Sequence, residues 1–140
     1  AAQAYCEIWG AQTPSAIRSW YDEGAEVALP RQARANGWSE IDRFVISVLA
    51  SMPDAVLTIH SSTVNRVSER PTRVSLRWSL DGTHVGWGRF DRPTGAPVHV
   101  MGMSHLHLTG NRIMAEWLLF DEVAIWKQII AHQREAETPR

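Results

Sequence analysis

The sequence predicts an α+β fold, with helices first and then a run of antiparallel strands against which those helices pack. Three observations predict it. An apolar stripe at helical spacing runs from Ser39 to Met52, strict two-residue alternation marks Arg73 to Leu80, and two strand-like segments flank Thr109-Gly110-Asn111. A strongly bent sheet closed by helices makes a cone with a pocket in its mouth. The 140 residues read as one domain, 1–140.

Each element has its own local cause. Ala2 to Trp9 reads as the end of a helix. Thr13-Pro14 suits an N-cap followed by proline at the first helical position, opening a short helix to about Tyr21. Gly24 breaks it, and Ala25 to Leu29 reads as a short strand ended by Pro30. In the next helix Ile41, Phe44, Val45, Val48, Leu49 and Met52 share one face; Ser39 is its expected N-cap and Pro53 its stop. Val56 to Val67 is β-branched and rich in Ser and Thr. Val74, Leu76, Trp78 and Leu80 alternate with Arg73, Ser75, Arg77 and Ser79. Pro93 to Pro97 is a loop, Val98 to Leu108 and Ile113 to Phe120 form the last hairpin, and Asp121 to about Arg134 reads as the closing helix.

Composition excludes several function classes. Apolar residues make up 44% and charged residues 21% of the chain, with a net charge of -1. The arginines are dispersed among acids, which argues against a nucleic-acid surface. No apolar run reaches the roughly 18 residues of a membrane span, and no secretory leader is visible, so a cytoplasmic location is expected. Cys6 is the only cysteine, which rules out an internal disulfide. There is no P-loop, no nucleophile elbow and no dinucleotide fingerprint, so no nucleotide cofactor site is expected. Seven tryptophans are many for this length; some suit a core and some an aromatic pocket.

The last hairpin carries the candidate chemistry, and its register decides which residues meet. A three-residue loop, Thr109 to Asn111, would set Leu108 opposite Arg112, His105 opposite Ala115 and Met103 opposite Trp117. His99, Met101, Met103, His105 and His107 would then share a face with Trp117, Leu119 and Asp121. A two-residue turn on Gly110-Asn111 would instead send Asp121 to the other face, and a bulge at Gly102 could shift the far end. Aromatic, sulfur and ionisable groups on one face suit a ligand pocket, which makes the three-residue loop the preferred register. Asp121 ends the apolar run Trp117-Leu118-Leu119-Phe120, where burial would raise a carboxyl pKa and make a better base; as the first residue before a helix it also suits an N-cap. His105 and His107 stand open to three readings: polar pocket residues partnering Asp121, satisfied structural histidines, or metal ligands. The last lacks a third ligand at a recognisable spacing, so no metal is expected. Glu116, on the opposite face, reads as solvated or interfacial.

Gly82-Thr83-His84-Val85-Gly86, Pro93-Thr94-Gly95-Ala96-Pro97-Val98, Gly102-Met103-Ser104 and the Arg112-Ile113, Glu116-Trp117, Asp121 ending together resemble the SnoaL-like polyketide cyclases of the NTF2-like superfamily, whose fold is ketosteroid-isomerase-like. The likeness is dense from Trp78 to Gln128. It implies a cone-shaped, curved mixed or antiparallel sheet with N-terminal helices on its concave face, and a homodimer or homotetramer. It also implies ring closure by intramolecular aldol condensation on a small apolar or aromatic substrate, without cofactor or metal. On that resemblance Asp121 is the acid/base and His107, or else His105, its polar partner; Trp117, Met103, Met101, Trp87, His99 and Leu119 would line the substrate pocket. The same scaffold hosts isomerases, dehydratases, epoxide hydrolases and non-catalytic binding modules, so these remain alternatives.

Overall fold

A computed structural model describes residues 1–139. Helix α1 (Ala2–Tyr5) runs on through a π-turn, Cys6–Gly10, and α2 (Ile17–Trp20) follows a 3₁₀ turn at Pro14–Ala16. Then come β1 (Tyr21–Ala28), β2 (Arg34–Asn36), α3 (Gly37–Ser51), β3 (Val56–Asn65), β4 (Thr72–Thr83), β5 (Pro97–Thr109), β6 (Arg112–Phe120) and α4 (Glu122–Glu137). The six strands form one curved, unclosed sheet in the order β2-β1-β6-β5-β4-β3. All neighbours are antiparallel except β1 and β6, which run parallel.

The α+β architecture follows the sequence pattern. In α3 the stripe of Ile41, Phe44, Val45, Val48 and Leu49 is buried, and in β4 the alternating set of Val74, Leu76, Trp78 and Leu80. Local boundaries differ. The first strand begins at Tyr21 and runs through Gly24, which falls in the irregular stretch between the Tyr21–Ile113 and Glu26–Ala115 pairs with β6. Helix α3 starts at Gly37 with Asn36 at its N-cap position, not Ser39. Strand β2, only three residues long, has no periodicity to read.

The hairpin register departs from the preferred three-residue loop: it takes the alternative turn and adds a bulge on β6, not at Gly102. The turn is the two-residue one, Gly110-Asn111, with Thr109 opposite Arg112 and Gly110 at φ 59°. One extra residue on β6, Met114, then forms a bulge, so that Leu108 pairs with Ile113 but His107 pairs with Ala115. Changing the turn and adding the bulge each shift the parity by one. The facing sets therefore stay together as the three-residue loop predicts, while partners move: His105 faces Trp117 and Met103 faces Leu119. No shift occurs at Gly102.

The core lies between the helices and the face bearing Val98, Val100, Leu106, Leu108, Ile113 and Leu118. The segment 84–96 closes one end. Its Gly86 and Arg89 amides donate to the carbonyls of Ser51 and Ser47 in α3, at 3.2 and 2.9 Å. A β-carbon on Gly86 would stand 1.8 Å from the Ala50 carbonyl oxygen, which explains the glycine that ends the Gly-Thr-His-Val-Gly run. Phe90, 1% exposed, plugs the interior from this segment and meets Trp126 edge to face, ring centroids 5.7 Å apart.

Candidate active site

Inside the cone, one carboxylate is buried among hydroxyls. Glu116 points inward from β6 with 3% of its surface exposed, and it is the only buried carboxylate among the described residues. The Tyr5 hydroxyl donates to its Oε2 at 2.5 Å, and the Tyr21 hydroxyl donates to Oε1. Tyr5 also meets Ser104 Oγ at 2.5 Å, and that oxygen accepts the indole N–H of Trp78 at 3.0 Å. The chain of donors therefore runs from Trp78 through Ser104 and Tyr5 to Glu116, with Tyr21 closing the other side. Elements far apart in sequence build it: α1, β1, β4, β5 and β6.

Local sequence explains the fit. Gly102 leaves room for the Trp78 ring, since a β-carbon there would lie 2.1 Å from the Trp78 ring carbon Cζ2. Ser104, two residues along the same face, then accepts from that indole. The Gly-x-Ser motif thus seats a tryptophan and fixes its N–H.

Burial pushes the Glu116 carboxyl pKa above its ordinary 4.5, and the two tyrosine hydrogen bonds restrain that rise without cancelling it. Burial, followed by the neighbouring Glu116 charge, pushes both tyrosine hydroxyls well above 10. Tyr5 and Tyr21 therefore remain neutral donors near pH 7, while Glu116 is held closer to the pH at which a base exchanges protons.

Next to this network lies an apolar cavity. Tyr5 and Trp78 belong to both, and Trp9, Phe44, Phe90 and Phe120 complete much of the lining. Its free space is about 20 Å³, room for a single water molecule. A larger guest needs wall side chains to move, and Phe90 belongs to a loop, not to the sheet.

The residues expected to line a pocket stand on the other face of the sheet. Met101, Met103, Trp117 and Leu119 are exposed, the last at 64%. Trp87, on the closing segment, is 71% exposed. His99 is also outside, with Nδ1 2.5 Å from Asp81 Oδ1. The rings of His105, His107 and Trp117 cluster there, with centroids 4.8–5.8 Å apart. His105 Nδ1 also meets Ser75 Oγ at 3.1 Å. Partial burial, His105 and Arg73 lower the pKa of His107. No group of three or more metal-ligating side chains occurs among the described residues.

A family model described as SnoaL-like polyketide cyclase matches residues 1–129. The chain belongs to the SnoaL-like polyketide cyclase family. Solved structures agree in fold. A protein from Jannaschia sp. CCS1, provisionally assigned as a SnoaL-like polyketide cyclase, superposes with a TM-score of 0.76 at 17% identity, over 93% of this chain and 91% of that one. IdmH from Streptomyces antibioticus, provisionally assigned as a polyketide cyclase, gives 0.73 at 18%, over 91% and 94%. A protein of ketosteroid-isomerase-like fold from Catenulispora acidiphila DSM 44928, in complex with trimethylamine, gives 0.70 at 15%, over 91% and 89%. At such identities the likeness concerns the fold alone. No curated protein sequence matches significantly.

For this SnoaL-like chain the expected placement of Asp121 is corrected. Asp121 is exposed, and its Oδ1 accepts the backbone N–H of Ala124 at 3.0 Å as the N-cap of α4. The structure keeps Asp121 apart from His105 and His107 in burial and brings none of the three into the cavity. The reading of Glu116 as solvated is also reversed. Its detectable signal was parity: Glu116 shares its strand face with Leu118, across from Ser104 and Leu106. That face is the aliphatic one, and the aliphatic face is the one the helices cover.

Proposed function

We propose that this chain catalyses cofactor-independent proton transfer on an apolar carbonyl substrate held in the cone, with Glu116 as the acid/base, and that the reaction is an intramolecular aldol-type ring closure. The observation carrying the proposal is the buried Glu116 carboxylate, its pKa raised, beside an apolar cavity whose wall includes its own donor Tyr5. Glu116 removes a proton from carbon between two carbonyls. The resulting enolate attacks a third carbonyl of the same molecule, forming one carbon–carbon bond. The new alkoxide takes the proton back from Glu116, so atoms and charge balance without a cofactor. Tyr5, with Ser104 behind it, donates to Glu116 and stabilises the ionised carboxylate that acts as the base. Confinement by aromatic walls holds the two reacting carbons together.

A second reading, a non-catalytic binder of apolar molecules, is favoured by the engagement of both Glu116 oxygens with tyrosines. The two readings separate on Glu116→Gln assayed with a panel of β-dicarbonyl compounds. Turnover by the wild type and loss of at least about 100-fold in the variant, with ligand affinity kept, supports catalysis. Binding without turnover in either form supports the binder.

A further inference from the structure

A second depression lies outside the cone, between the β1–β2 connection and α3. It measures about 360 Å³ and is lined by Leu29, Arg34, Glu40, Arg43, Phe44 and Arg89, among others. Glu40, Arg43, Phe44 and Ser47 fall on one helical face, which is why α3 presents them together. Three arginines and a single acidic residue, Glu40, thus line it. Arg34 and Arg43 make no ion pair among the described residues, whereas Arg89 Nε pairs with Glu122 Oε1 at 2.6 Å. Phe44 is a wall of both spaces: it lines this cleft and the interior cavity, and the Arg89 guanidinium lies over its ring at 5.3 Å. Arg89 also precedes Phe90, the residue that plugs the cavity.

We propose that this cleft is a subsite for a negatively charged end of the substrate, a carboxylate or a phosphate, held by Arg34 and Arg43 while the apolar body passes Phe44 into the cone. Planar guanidinium groups match both oxyanions through paired N–H donors. The chemistry of the two spaces is complementary: an aromatic-walled interior and a cationic cleft share one side chain, as an amphipathic anion requires. The inference rests on the reading of the interior as the substrate chamber, but its test needs no turnover.

The test titrates octanoate, octyl phosphate and octanol into isotopically labelled protein, followed by amide chemical shifts. The two anions should bind the wild type more tightly than octanol and shift amides around Arg34 and Arg43. In Arg34→Gln/Arg43→Gln, anion affinity should fall by roughly threefold to twentyfold, as two exposed pairs would give, and octanol affinity should hold. Arg73→Gln/Arg77→Gln, on the sheet's outer face, should change neither. Whichever anion loses more identifies the preferred group. Equal losses for octanol, unchanged anion affinity, shifts confined to other surfaces, or no binding by any of the three would overturn the subsite. A Glu116→Gln variant that keeps anion binding while turnover fails assigns that failure to the chemistry and not to the cleft.

Discussion

Tyr5 and Glu116 stand 111 residues apart in sequence and share a 2.5 Å hydrogen bond in the core. The contact ties the first helix to the sixth strand and places an ionisable group where water does not reach.

That burial gives stability a pH dependence of defined sign. The folded carboxyl of Glu116 has its pKa raised above 4.5, so between the two values the folded state holds a proton that the unfolded chain has lost. This contribution is fully present below about pH 4.5 and is lost as pH rises through the folded pKa. The difference in unfolding free energy between wild type and Glu116→Gln should therefore decline from about pH 4 upward and then flatten. Denaturant melts across that span measure it, and a difference independent of pH would contradict the burial.

Tyr21→Phe removes one of the two donors to Glu116. Loss of a buried hydrogen bond to a charged acceptor should cost about 1.5–3 kcal/mol. It should also raise the Glu116 pKa further, moving the flattening point of the previous measurement to higher pH. Destabilisation without that movement would mean that Tyr21 serves packing alone.

Asp121 separates capping from catalysis. Its carboxylate accepts from Ala124 at the start of α4, so Asp121→Ala should cost about 0.5–2 kcal/mol, and Asp121→Asn, which caps equally well, only a few tenths. Thermal melts check both. Turnover of Asp121→Asn close to the wild-type value would agree with a capping role, whereas its loss would return the acid/base role to Asp121.

Gly102→Ala tests the seat of Trp78. The added methyl would meet ring carbons at 2.1–2.5 Å, and overpacking of this kind typically costs about 1–3 kcal/mol. Moving the ring should also break the indole hydrogen bond to Ser104, which the indole N–H resonance reports. A fully stable variant with an unchanged resonance would show that the ring has room to spare.

The fold was largely legible because its long elements are periodic. The stripe from Ile41 to Leu49 and the alternation from Val74 to Leu80 both fix which side of an element is apolar, and both are buried as the pattern requires. In the hairpin, alternation sorted His105, His107 and Trp117 from Ser104, Leu106 and Leu118. It carried no label for inside. Gathering aromatic and ionisable groups on one face looked like a pocket, but the helices cover the aliphatic face. Glu116 was hidden for the same reason: a lone glutamate in a strand has the local appearance of a solvated one, and its tyrosine partners lie about a hundred positions away.

By itself, then, the sequence determined the α+β class, the order of the long strands and helices and the family likeness, since all of these depend on residue spacing along the chain. Only the tertiary structure decided which face of the sheet is enclosed, that the Asp121 carboxylate stands exposed and outside the cavity, and that Glu116 meets Tyr5 and Tyr21. Those outcomes depend on where α1, α3 and α4 dock. Docking is set by the total apolar surface removed from water, which no single segment specifies.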